Sequence, residues 1–95
     1  KGAHAVYTDT WMSYHIPAEE MERRIHTLQP FQVDSSVMAE ANKEAVFMNC
    51  LPARRGFEQS AEVIDGPQSI VFDQAENRMH AQNAVMISLL NAAES

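Results

Sequence analysis

Four things are scarce in this sequence. It has one cysteine, three glycines, seven lysine and arginine residues against 13 acidic ones, and no apolar run of membrane-spanning length. A single thiol, Cys50, excludes an intramolecular disulfide framework and any cysteine-rich zinc site. It also suits a reducing compartment, so cytoplasm is the expectation. Gly2, Gly56 and Gly66 are too scattered to build a glycine-rich phosphate loop. The net charge of −6 points away from nucleic acid and from anionic membrane surfaces. The basic doublets Arg23-Arg24 and Arg54-Arg55 do not extend into a patch. A bilayer-spanning helix takes about 20 apolar residues, and none is present, so no membrane partner is expected. No secretory signal pattern is visible at the start. Position 1 is Lys rather than Met, so the expectation is that the sequence does not begin where a gene begins.

What is present is an ordinary globular mixture: 45% hydrophobic and 21% charged residues over 95 positions, enough for one small domain with a modest core. Residues 5–11, β-branched and aromatic, read as a strand entering a loop. Pro17 is suited to the first position of a helix, where its missing N–H costs nothing. Met21, Ile25 and Leu28 then form an apolar stripe. Glu19, Glu20 and Glu22 early, with Arg23, Arg24 and His26 later, match the helix dipole and leave a solvated charged face. Asp34 or Ser35 can cap a second short helix bearing Val37, Met38 and Ala41. Residues 45–51 form a nearly continuous apolar run closed by Pro52, as expected of a buried parallel strand. Residues 58–63 allow one or two helical turns. Residues 69–72 read as a third strand, and Asp73 with Glu76 as the start of a final helix. On that helix Ala75, Met79, Met86 and Leu90 share a face.

Strands joined by helical crossovers predict an α/β fold of three layers, a short parallel sheet flanked by helices. Ligands in such sheets sit beyond the carboxyl ends of the strands. That rule selects residues 9–14, 49–55 and 73–78 as segments that could share one crevice. Metal chemistry is not indicated: His4, His15, His26 and His80 lack ligand spacing, and the i,i+4 pair Glu76 and His80 does not make a site. No cofactor motif is present. Cys50 reads as a nucleophile, a ligand contact or a buried small apolar residue; composition favours the last, and its place at the carboxyl end of a strand shifts weight toward a site. Asp9 reads as a turn cap or as a carboxylate able to hold an ammonium group.

The segments Tyr7-Thr8-Asp9-Thr10-Trp11-Met12-Ser13, Phe47-Met48-Asn49-Cys50-Leu51-Pro52-Ala53 and Asp73-Gln74-Ala75-Glu76-Asn77-Arg78-Met79-His80-Ala81-Gln82 resemble the ornithine carbamoyltransferase family. Phe31-Gln32-Val33 and Val63-Ile64-Asp65-Gly66-Pro67 extend the match across essentially the whole chain. The resemblance implies a Rossmann-like carboxyl-terminal, ornithine-binding domain, of which residues 1–95 are one part. It implies transfer of the carbamoyl group of carbamoyl phosphate to the side-chain amine of ornithine, giving citrulline, a step of arginine biosynthesis. By the same resemblance Asp9, Ser13, Tyr14 and Cys50 meet ornithine, and Cys50, Leu51 and Arg78 meet carbamoyl phosphate, with Cys50 and Arg78 catalytic. The Leu51-Pro52 bond is expected to be cis.

Two positions depart from the family pattern: Asn49 stands where a His is usual, and Tyr14-His15 stand where Met-Gly is usual. The first removes a titratable group beside the carbamoyl site, and the second puts a ring near the amino-acid end of the substrate. The family's phosphate-binding Ser-x-Arg-Thr and His-Pro-x-Gln segments do not occur in these residues. The expectation is therefore a fragment lacking the carbamoyl-phosphate domain and inactive alone. It would contact that missing domain or assemble as a homo-oligomer, a trimer in the family. The alternatives are a non-catalytic binding or oligomerisation module on the same fold, and a carbamoyltransferase for another amine such as putrescine or an acylated ornithine.

Overall fold

The structure, a computed structural model, describes residues 1–94. Strand β1 (Ala5–Thr8) and strand β2 (Val46–Asn49) pair in parallel, with Ala5 opposite Val46 and Thr8 opposite Asn49. Between them lie helix α1 (Ala18–Leu28), a 3₁₀ turn (Gln29–Phe31) containing Pro30, and helix α2 (Ser35–Glu40). Helix α3 (Ala61–Ile64) and the long helix α4 (Val71–Glu94) follow. The α/β class and the short parallel sheet flanked by helices are those expected from the sequence.

The elements follow local chemistry closely. Pro17, with φ −57° and ψ 142°, stands immediately before α1 rather than inside it. Its fixed φ is already helical while its ψ keeps the chain extended. Met21, Ile25 and Leu28 are the half-buried residues of α1, as their spacing requires. Asp34 caps α2, its carboxylate accepting the Val37 N–H at 3.0 Å. Gly66 closes α3. A Cβ there would stand 2.5 Å from the Glu62 carbonyl oxygen, so no other residue fits without a backbone shift.

β2 is the centre of the core. Phe47 is fully buried and packs with Val33, Met38, Val63, Ile64 and Val71. Strand β1 covers one edge of β2. On the other edge the Phe47 N–H donates to the Gln68 carbonyl at 2.8 Å and the Phe47 carbonyl accepts from Ile70 at 3.0 Å. Burial alternates along β2, with Phe47 and Asn49 inside and Val46 and Met48 half-buried, so the strand is not enclosed equally on both faces.

Two expectations are corrected. The third strand shrinks to one parallel bridge, Phe47 with Ser69. Val71 and Phe72 belong to α4, whose first turn forms when Gln74 N–H donates to the Ile70 carbonyl at 2.9 Å. Val71 thus enters the core from a helix, and Asp73 sits in the first turn of α4, where a negative charge is favoured. Residues 58–60 are not helical: Glu58 and Gln59 are fully buried, and only 61–64 form the short helix.

Candidate functional site

The end of β1 carries Asp9 and the end of β2 carries Cys50, because the parallel register brings Thr8 beside Asn49. The Cys50 thiol donates to Asp9 Oδ1 at 3.1 Å, across 41 residues of sequence. The same oxygen accepts the Thr10 N–H at 2.6 Å. Both bonds favour the charged carboxylate, and they hold Asp9 below the ordinary carboxylate range, the thiol contributing most. The converse acts on Cys50: its bond to Asp9, with some burial, raises the thiol pKa. Cys50 is therefore a neutral hydrogen-bond donor at neutral pH rather than a thiolate nucleophile. The Tyr7 phenol faces this pair; its contact with Cys50 raises its own pKa most, and Gln74 opposes the shift.

This arrangement makes a direct prediction. Asp9→Asn removes the negative charge that disfavours the thiolate. Iodoacetamide should then alkylate Cys50 several-fold faster at pH 8, through a thiol pKa closer to the usual value of about 8.5. An unchanged alkylation rate would show that the carboxylate does not control the thiol.

The loop after β2 is built to expose backbone. The Leu51-Pro52 peptide is cis, as the resemblance implied, and Leu51 has φ +58°. This left-handed conformation is uncommon for a branched side chain. The Leu51 N–H is held by Asn49 Oδ1 at 2.9 Å, and the Leu51 carbonyl accepts no hydrogen bond among the described residues. Asn49 itself is fully buried, its Nδ2 donating to Gln59 Oε1 at 2.8 Å and its backbone N–H to Gln74 Oε1 at 3.0 Å. Gln59 also donates to the Arg54 carbonyl at 2.9 Å, and Glu58 Oε1 accepts the Arg54 N–H at 2.9 Å.

The loop after β1 stands against the loop after β2. Ser13 and Tyr14 line an open groove of about 490 Å³ with Thr10, Pro52, Ala53 and Arg54. The Tyr14 ring is 94% exposed, so it rims this groove rather than filling it. Trp11 is buried, and its carbonyl is held at 3.0 Å by Arg24 from α1. Arg24 thus anchors the loop instead of belonging only to a solvated charged face. Arg55 makes a bidentate pair with Asp65 at 2.9 and 2.8 Å, tying the second loop to the end of α3.

Of the residues selected from sequence, Asp9, Cys50 and Leu51 converge, and Ser13 and Tyr14 stand at the neighbouring groove. Arg78 does not join them directly. It lies one helical turn beyond Gln74 on the same face of α4, about 6 Å farther along the axis. Its side chain is exposed and without a hydrogen bond or ion pair among the described residues. Glu76 and His80 stand 3.8 Å apart on the exposed surface of α4. Among the described residues no group of three or more His, Cys, Asp or Glu could hold a metal ion, and no helix is long and apolar enough to cross a membrane. Gln59, Glu58 and the anchoring role of Arg24 escaped the sequence reading, which reached Gln74 only as part of the segment 73–78. Burial of Glu58 and Gln59 has no local signal, since both lie in a polar, glycine-containing stretch.

A parallel α/β unit whose polar groups gather at the carboxyl ends of its strands is the class of fold that holds small ligands at that edge. Residues 1–89 match the family described as aspartate/ornithine carbamoyltransferase, Asp/Orn binding domain. The chain belongs to this family. It is 54% identical over 86 residues to an ornithine carbamoyltransferase of Roseobacter denitrificans, covering 90% of this chain and 28% of that protein. The crystal structure of the anabolic ornithine carbamoyltransferase of Campylobacter jejuni superposes with a TM-score of 0.86 at 36% identity, over 97% of this chain and 30% of that one. An N-acetyl-L-ornithine transcarbamylase structure superposes with a TM-score of 0.73 at 37% identity, over 93% of this chain and 27% of that one. The chain thus spans less than a third of the length of these relatives.

Proposed function

We propose that this chain is the ornithine-binding portion of an ornithine carbamoyltransferase. In the reaction the neutral side-chain amine of ornithine attacks the carbonyl carbon of carbamoyl phosphate. A C–N bond forms, the C–O bond to phosphate breaks, and the amine loses a proton, giving citrulline and inorganic phosphate. The observation that carries the reading is the Asp9–Cys50 hydrogen bond at the ends of two parallel strands. An ionised carboxylate there suits the α-ammonium of an amino acid. The free carbonyl of Leu51 suits the NH2 of a carbamoyl group, and the Cys50 thiol lies one residue away. Arg78, unpaired and one turn beyond Gln74, is suited to charge growing on the carbamoyl oxygen. Ser13 and Tyr14 contribute from the groove beside Asp9.

In this reading the phosphate-binding residues lie outside these 95 residues, and the chain alone does not turn over. The apolar face of α4 supports a protein neighbour, either the carbamoyl-phosphate domain or a second subunit: Met79, Met86 and Leu90 are 54%, 55% and 66% exposed. Such contiguous apolar exposure marks an interaction surface.

An amide-resolved NMR titration of the chain with L-ornithine, with putrescine and N-acetyl-L-ornithine as parallel samples, tests the proposal. Shifts confined to Asp9, Ser13, Tyr14, Cys50 and Leu51, with ornithine stronger than either analogue, are expected. A response equal for ornithine and putrescine would remove the role of the α-carboxylate. Preference for the acetylated compound would move the assignment to the acylated substrate.

A further inference from the structure

We infer that Asn49 and Gln59 form an uncharged positioning pair, and that position 49 acts through one donor and one acceptor rather than through titration. The inference rests on the site just proposed only for its consequence in binding; the pair itself is read from geometry.

Three observations carry it. The Asn49 side chain is fully buried and is not among the residues that line the groove. It uses both ends of its amide: Nδ2 donates to Gln59 Oε1 at 2.8 Å, and Oδ1 accepts the Leu51 N–H at 2.9 Å. Gln59, also fully buried, accepts from Asn49 through Oε1 and donates from Nε2 to the Arg54 carbonyl at 2.9 Å. The chain from 49 to 54 is therefore held at Leu51 and at Arg54 by one pair of amides. Between these points lie the positive φ of Leu51 and its unpaired carbonyl. The pair fixes where that carbonyl points.

The chemistry of position 49 then follows. It needs a donor facing Gln59 and an acceptor facing Leu51. An amide supplies both at every pH. A neutral imidazole supplies both as well, one ring nitrogen protonated and the other not. An imidazolium has two donors and no acceptor, so it would abandon the Leu51 N–H. The Asn at 49, where the family pattern has His, keeps the loop geometry and removes its dependence on protonation.

The test uses the unliganded chain, with Leu51 amide shift and hydrogen exchange as readouts and the amides of Phe47 and Val71 as controls for the fold. In the parent chain the Leu51 amide shift should be flat from pH 8 to pH 5.5. In Asn49→His it should match the parent at pH 8 and move once the imidazole protonates, which burial shifts below the ordinary value of about 6.5. Leu51 exchange, corrected for intrinsic pH dependence, should become about tenfold faster relative to the controls at the acid end. Gln59→Leu should show the faster exchange at all pH values. A Leu51 amide insensitive to Gln59→Leu in a folded chain, or insensitive to protonation of the histidine, would overturn the inference. Should Gln59→Leu fail to fold, the Asn49→His titration alone decides. Ornithine titration of the same samples is a separate arm: absence of ornithine binding in the parent chain would count against the proposed function and leave the Leu51 readout intact.

Discussion

Replacing Asp9 with Ala should remove detectable ornithine binding. A hydrogen bond to a charged group contributes about 1.5–3 kcal/mol, so the loss is about ten- to a hundredfold in affinity. At millimolar ligand that loss erases the NMR response. The variant should stay folded, because Asp9 is exposed and its partners, Cys50 Sγ and Thr10 N–H, can turn to water. The pH dependence has a definite sign. The Cys50 thiol and the Thr10 N–H both lower the Asp9 pKa, so the carboxylate is charged throughout the neutral and mildly acidic range. Binding that depends on this charge persists as pH falls through the ordinary carboxylate value of about 3.9, and is lost only below it. Full affinity in Asp9→Ala, measured by the same titration, would place the ammonium elsewhere.

The largest effect on stability is expected at Phe47. Its ring is fully buried at the centre of β2, among Val33, Met38, Val63, Ile64 and Val71. Deleting such a ring costs about 3–5 kcal/mol in lost transfer energy and residual cavity. A chain of this length has about 5–14 kcal/mol of stability in total, at the usual contribution per residue. Phe47→Ala should therefore lower the midpoint of urea unfolding steeply and populate unfolded chain near room temperature. A midpoint within experimental error of the parent would mean that the core is not organised around β2. Met79→Ala, on the exposed part of α4, is the natural control and should change stability little.

Periodicity and punctuation were enough to read α1, α2, β1 and β2 from the sequence. Their signals are local: Pro17 before a 3.6-residue apolar stripe, Asp34 before a short helix, and apolar residues 45–48 running up to Asn49. The cap bond from Val37 to Asp34 and the half-burial of Met21, Ile25 and Leu28 follow from residues within a turn or two. The rule that ligands gather at the carboxyl ends of parallel strands likewise needed only strand order, and it selected the segments 9–14 and 49–55 that hold Asp9, Cys50 and Leu51, together with 73–78. The third strand failed for the complementary reason. Ile70, Val71 and Phe72 have strand-forming side chains, and local propensity cannot weigh them against burial of Val71 from a helix.

Only the tertiary structure decided what the polar residues do. Glu58 and Gln59 are polar side chains with no local signal of burial, yet both are buried, because the loop from 50 to 55 has backbone groups that need partners away from water. Asn49 reads as the loss of a titratable group, yet its amide serves Gln59 and Leu51 beneath the loop. Arg24 reads as part of a solvated charged helix face, yet it holds the Trp11 carbonyl 13 residues away. The Asp9–Cys50 bond spans 41 residues and exists only because the parallel register sets Thr8 against Asn49. Sequence determines which groups are available and which local turns they favour. The partner of a buried polar group is settled by which distant backbone is left unpaired beside it, and that is a property of the assembled fold.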